Sequence, residues 1–185
     1  MKTTSDHSRT AARHQRGVSL VEACAVLTVT AVLAATAAPG MQDLIDTRRL
    51  EGAATLLATD IQFIRGESVA RNQPLRLSFL PSATGSCYVI HSGAADQCHC
   101  EAVGPAQCSG NAREIRTVTL AGADRVSLQA NVGSMLFDPV HGTSSPSGTL
   151  RLLGARNRAV HHVVNIMGRV RSCSPLAAMP GYRTC

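Results

Sequence analysis

Six arginines, Arg151, Arg156, Arg158, Arg169, Arg171 and Arg183, fall in the last 35 residues of the chain, which hold no Asp or Glu. From Val18 to Leu150 the balance is reversed, with eight Arg against eleven acids. A guanidinium keeps its charge and offers a planar fork of N–H donors that matches phosphate. Several of them without counter-charge are the footprint of a polyanion-binding surface. On an extended chain Arg169 and Arg171 share one face about 6.6 Å apart, so both can meet neighbouring phosphates of one backbone. Gly168, just before them, allows a positive φ or a close backbone approach. The plain alternative is a solvated face, or a set of ion pairs with a neighbouring subunit. There is no Trp, and Tyr182 is the one aromatic of this tail, so stacking on bases is a small term and binding is mostly electrostatic.

Other residues with chemical potential point away from catalysis. Cys87, Cys98, Cys100, Cys108, Cys173 and Cys185 are even in number and read as a disulfide framework. Sequence proximity favours Cys173 with Cys185, and two bridges among the other four. Such a bridge would hold Arg183 near Arg169 and Arg171. The run Cys98-His99-Cys100, with Cys108 and His91, can be drawn as a zinc site, but structural zinc sites use a C-x2-C spacing. No metal and no cofactor is expected. Cys24 lies in an apolar run and behaves as a small hydrophobe. No nucleophile triad, phosphate-binding glycine loop or spaced acid pair is visible, so an enzyme is not expected. His161 and His162 point to opposite faces of one strand, with at least one simply packed or exposed.

The elements that position these residues begin with the run from Val18 to Pro39, 22 residues whose one ionisable side chain is Glu22. At about 1.5 Å per residue a helix here crosses a hydrocarbon core of about 30 Å. The flank Met1–Gly17 carries Lys2, Arg9, Arg13 and Arg16 against Asp6. This excess of base is expected to hold the N-terminus in the cytoplasm, with everything after Pro39 on the other side of the membrane. The small residues Ala34–Ala38 resemble the cleavage site of an ordinary secretory signal, but a carboxylate five residues into the run argues against that reading.

Beyond Pro39 the apolar residues keep a helical period, through Leu50, Leu57, Ile61 and Ile64, to a stop near Asn72, just before Pro74. From Leu75 the pattern changes to strands. They are expected at 75–80, 87–91, 114–120, 125–129, 134–137, 149–153 and 159–166, with loops at 92–112 and 143–148. The expected organisation is therefore a leader at 1–17, a transmembrane or filament-core helix at 18–39, its continuation at 40–72, and a globular β-domain with a basic tail at 73–185.

A basic leader ending in Gly17, then Val18, Glu22 at the fifth position of the helix and Pro39 at the twenty-second, resembles the class III signal of type IV pilins and type II secretion pseudopilins. The resemblance implies cleavage between Gly17 and Val18 by a prepilin peptidase, N-methylation of Val18, and retention of the helix. Glu22 would pair with the Val18 amine of a neighbour during assembly, because a buried charge is tolerable when paired. Phe137, Asp138, Pro139 and Gly142, followed by VNIMGRVRSC from Val164 to Cys173, resemble the C-terminal half of the GspH/FimT group. That implies an α+β, pilin-like fold: a long N-terminal helix on a small, mostly antiparallel β-domain.

Gly168–Arg171 is similar to the G-R-x-R element of FimT-type minor pilins, whose family role is DNA binding during uptake. The implied function is sequence-independent capture of extracellular DNA by Arg169 and Arg171, helped by Gly168, Arg183, Arg151, Arg156 and Arg158. The implied partners are DNA, other major and minor pilins and the peptidase. The implied location is the inner membrane with a periplasmic domain, extracellular once in a pilus. A structural pseudopilin or priming minor pilin of a type II secretion system or type IV pilus, with no DNA binding, is the other expectation, because secretion-type relatives also carry a Gly-Arg pair there.

Overall fold

The computed structural model describes residues 17–82, 85–101, 104–177 and 179–185; the basic flank before Gly17 lies outside them. The chain divides into two compact units, Met1–Met41 and Gln42–Cys185, and helix α1, Leu20–Ala70, contributes to both.

In the first unit, Ser19 caps α1 by accepting the Glu22 amide proton at 3.2 Å. Val21, Val26, Val29, Val32 and Leu33 are exposed around the helix. Thr28, Thr30 and Thr36 return their hydroxyls to carbonyls three or four residues back. A helix that is apolar all round except for Glu22, with its threonine hydroxyls bonded to its own backbone, suits lipid or other helices as its surroundings. Its length and composition are those of a membrane span.

In the second unit, Leu50, Ala54, Leu57, Ile61 and Ile64 form a buried stripe on α1 at spacings of four and three. The helix ends in a Schellman motif. Asn72 takes φ +48°, its amide donates to Val69, and the Gln73 amide donates to Ser68, before Pro74 prevents continuation.

Twelve strands follow among the described residues: β1 Leu75–Ser82, β2 Gly85–Ser92, β3 Cys98–His99, β4 Gln107–Cys108, β5 Arg113–Ala121, β6 Ser127–Ala130, β7 Ser134–Phe137, β8 Ser144–Ser145, β9 Gly148–Leu153, β10 Ala159–Val164, β11 Val170–Ser174 and β12 Arg183–Thr184. The first sheet has the order β5-β2-β1-β7-β8 and the second β12-β11-β10-β9-β6; β3 and β4 pair by themselves. Every pairing is antiparallel except β11 with β12.

All seven expected strands form, β7 with the expected ends and the other six with shifted ones. The expected loop at 92–112 contains the β3–β4 pair, and the expected turn at 143–148 contains β8. The Leu50–Ile64 stripe packs with Leu75, Leu77, Tyr88, Ile90, Met135 and Phe137 of the first sheet, and with Leu150, Leu152, Val160 and Val164 of the second. Buried polar groups tie the layers. Asp60 on α1 accepts the Tyr88 hydroxyl at 2.8 Å and pairs with Arg116, whose guanidinium lies over Phe63. His162 donates from Nε2 to the Ala54 carbonyl at 2.9 Å and accepts the Ser172 hydroxyl at Nδ1.

The cysteines pair as Cys87–Cys100, Cys98–Cys108 and Cys173–Cys185. This meets the expected pattern and fixes the two bridges left open. All three cysteines of the zinc alternative are thereby used in disulfides.

Burial holds His162 and His91 neutral by pushing both imidazoles below their ordinary range. The unfolded chain takes up these protons near pH 6.5 while the folded chain resists them, so stability is full above that value and falls as the pH drops through it. The thermal midpoint is therefore expected to fall between about pH 7.5 and about pH 5.5. His162→Gln, which keeps a donor for the Ala54 carbonyl, is expected to flatten the fall. A wild-type midpoint independent of pH over this window would contradict the assignment.

Candidate functional site

The second sheet turns one face to the helix and the other outward. Leu150 and Leu152 on β9, and Val160, His162 and Val164 on β10, are buried. Their alternates therefore point away. Pairing in register runs Arg183, Cys173, His161, Arg151, Gln129 across five strands. Arg171, Val163 and Thr149 form the next row on the same face. At about 4.8 Å per strand, Arg151 and Arg183 are about 14 Å apart, with Arg171 about 6.6 Å along from the row that joins them. Arg169 closes the turn before β11. None of the five strands bears an acid.

The structure splits the six arginines into two groups. Arg158, with 18% of its side chain exposed, donates from Nη2 to both oxygens of the Asp43 carboxylate at 2.6 and 2.8 Å and from Nη1 to the Thr47 hydroxyl. Arg156 pairs with the same carboxylate at 2.7 Å. Hydrogen bonds from Arg158, aided by the charge of Arg156, hold the Asp43 carboxyl below its usual range. These two arginines dock the β9–β10 connection onto α1, so their guanidinium groups already have a partner in the fold. Arg151, Arg169, Arg171 and Arg183 are exposed and have no hydrogen bond or ion pair to their guanidinium groups among the described residues.

Gly168 is buried with φ +69°. A Cβ there would come within 3.0 Å of Arg65 Cδ and of the Gly142 carbonyl. It serves the turn by packing and backbone geometry, and it is not a surface a ligand touches. The motif Phe137-Asp138-Pro139 with Gly142 is structural in the same way. Phe137 is in the core, Asp138 accepts the amides of Val140 and His141, and Gly142 takes φ +60° and accepts Arg65 Nε at 2.9 Å.

His161, at the centre of the arginine rows, is a residue that sequence reasoning did not place at the site. Burial and the charge of Arg151 push its imidazole below the ordinary range, so it adds no charge to the face at neutral pH. Cys185 Sγ lies 3.8 Å from its Nδ1, which sets the Cys173–Cys185 bridge over this face beside Arg183. The alternation of His161 with buried Val160 and His162 is the signal that could have found it.

A family model described as Type II transport protein GspH matches residues 53–168. The fold is similar to that of the minor pseudopilin EpsH from the Type 2 Secretion System of Vibrio cholerae, at 13% identity and a TM-score of 0.50, over 69% of this chain and 98% of that one. It is also similar to the type IV minor pilin FimU of Pseudomonas aeruginosa strain PAO1, at 17% identity and a TM-score of 0.51, over 71% and 96%. No curated protein sequence matches it. The chain belongs to the GspH family and is a minor pilin or pseudopilin, of a class that associates with other pilins in a filament. The family match ends at Gly168, so Arg169, Arg171 and Arg183 lie beyond it.

Asp43→Asn removes the charge that occupies Arg156 and Arg158. The variant is expected to elute from a heparin resin at higher salt than both wild type and the control Asp96→Asn, which loses one exposed acid elsewhere, and to melt at lower temperature. Elution no later than the control would show that the two freed guanidinium groups stay out of reach.

Proposed function

We propose that this minor pilin binds DNA without sequence preference through the outer face of the second sheet, in the service of DNA uptake by a type IV pilus. The observation that carries the reading is the set of four exposed arginines without a partner among the described residues, Arg151, Arg171 and Arg183 on an acid-free sheet and Arg169 in the turn that leads into it. Phosphate would be gripped by charge-assisted, bidentate hydrogen bonds from fixed strands, and bound counterions would be released as it docks. Arg156 and Arg158 play no direct part in this reading, because Asp43 holds them. The Cys173–Cys185 bridge keeps Arg183 on the face and lowers the ordering cost of binding.

Processing between Gly17 and Val18, N-methylation of Val18, and pairing of Glu22 with a neighbouring amine belong to the same proposal, as do a cytoplasmic N-terminus and a periplasmic domain. The second reading, a structural pseudopilin that contacts only other pilins, is favoured by the family model's description as a type II transport protein. It expects a co-purifying pilin complex that is indifferent to DNA.

Titration of a duplex oligonucleotide with the full-length protein in non-ionic detergent separates the two. Four phosphate contacts predict a slope of log affinity against log salt of about −3.6, and Arg169→Ala with Arg171→Ala should bring it to about −1.8. Unchanged affinity and slope in the double variant would remove these residues from the site. Absence of binding by the wild type would favour the structural reading.

A further inference from the structure

The turn between β10 and β11, Asn165 to Arg169, is braced by hydrogen bonds from within and from Ser144. Asn165 Oδ1 accepts the amides of Met167 at 3.1 Å and Arg169 at 2.9 Å. The Gly168 amide donates to the Asn165 carbonyl, and the Asn165 amide to the Arg169 carbonyl. From outside the turn, the Ser144 amide donates to the Ile166 carbonyl at 2.8 Å and the Ser144 hydroxyl to the Asn165 carbonyl at 2.7 Å. Arg65 packs beneath Gly168.

Nevertheless, the two side chains this frame displays are apolar and face water: Ile166 is 63% exposed and Met167 51%. Turns ordinarily take Gly, Asn, Asp or Ser at such positions. Ile is β-branched and gains nothing in a solvated turn. Here two apolar side chains stand on a braced backbone, and Arg169 and Arg171 follow within five residues.

We infer that Ile166 and Met167 form a wedge that inserts between stacked bases of a nucleic acid whose backbone is held by Arg169 and Arg171. The inference rests on the nucleic-acid reading above and extends it from the phosphates to the bases. Insertion of Ile or Met between base steps is a general means of unstacking them and kinking the duplex toward its major groove, and it reads no particular sequence. The bracing matters because a wedge must resist the stack it opens. Positive charge without any acid on the adjoining strands favours a polyanion over an apolar protein groove as the occupant.

The test uses full-length protein in non-ionic detergent and a duplex oligonucleotide carrying 2-aminopurine, whose fluorescence rises when its neighbours unstack. Wild type is expected to raise the fluorescence at saturation. Ile166→Ser with Met167→Ser should give no rise and about tenfold weaker binding at an unchanged salt slope. Ile166→Leu with Met167→Leu should keep both signals, which separates loss of the wedge from loss of the turn. Flat fluorescence with saturated wild type, or a serine variant indistinguishable from wild type, would overturn the wedge while leaving the arginine site standing. Failure of the parent reading looks different, because then the wild type does not bind or the Arg169→Ala, Arg171→Ala variant binds as wild type does. A serine variant that keeps its DNA signals but no longer associates with other pilins would assign the tip to a protein interface and also overturn the wedge.

Discussion

Burial of one helical stripe, Leu50, Ala54, Leu57, Ile61 and Ile64, against both sheets is the constraint on which the rest depends. Strands β9 and β10 of the second sheet must offer their apolar alternates to that stripe, so Leu150, Leu152, Val160 and Val164 turn inward. Arg151, His161 and Val163 then have to turn outward, and register carries the choice to Arg171 on β11 and Arg183 on β12. Burying one Leu or Ile is worth about 1.5–3 kcal/mol, against about 0–1 for an exposed ion pair. The apolar stripe therefore sets the display of the arginines.

Charge plays two different parts in the basic tail. Arg156 and Arg158 converge on Asp43 and tether the β9–β10 connection to α1. Arg151, Arg169, Arg171 and Arg183 meet no acid among the described residues, and the face they share is crossed by a disulfide that keeps the last strand in place. Glycines 142 and 168 clamp Arg65, which secures the turn from which β11 departs. The residues that resemble the family's motif thus divide into a frame and a free surface, and only the free surface is available to a ligand.

Much of the fold was legible in the sequence because periodicity is strong where burial is one-sided. The α1 stripe and the alternation of Thr149–Leu153 show it plainly. Strand β11 was not legible as such, since Val170-Arg171-Ser172-Cys173-Ser174 has one aliphatic residue and borrows its order from β10 and from the Cys173–Cys185 bridge. Two-residue strands such as β8 and β12 exist by pairing alone and carry no pattern. The arginine cluster could be counted in the sequence but not sorted. Asp43 lies 115 residues before Arg158, and nothing local tells a committed guanidinium from a free one. The role of Gly168 was half visible: the positive φ followed from its type, while its contact with Arg65 depends on the helix being packed there.

The central claim is that the outward face of the second sheet is where a polyanion docks. Its most direct test is to map crosslinks from a photoreactive oligonucleotide bound to the full-length protein. The account predicts adducts on Thr149, Arg151, His161, Val163, Ile166, Met167, Arg169, Arg171 and Arg183, and none on the first sheet. Adducts concentrated on β5 or the Cys87–Cys108 region, or an absence of adducts at saturating oligonucleotide, would contradict it.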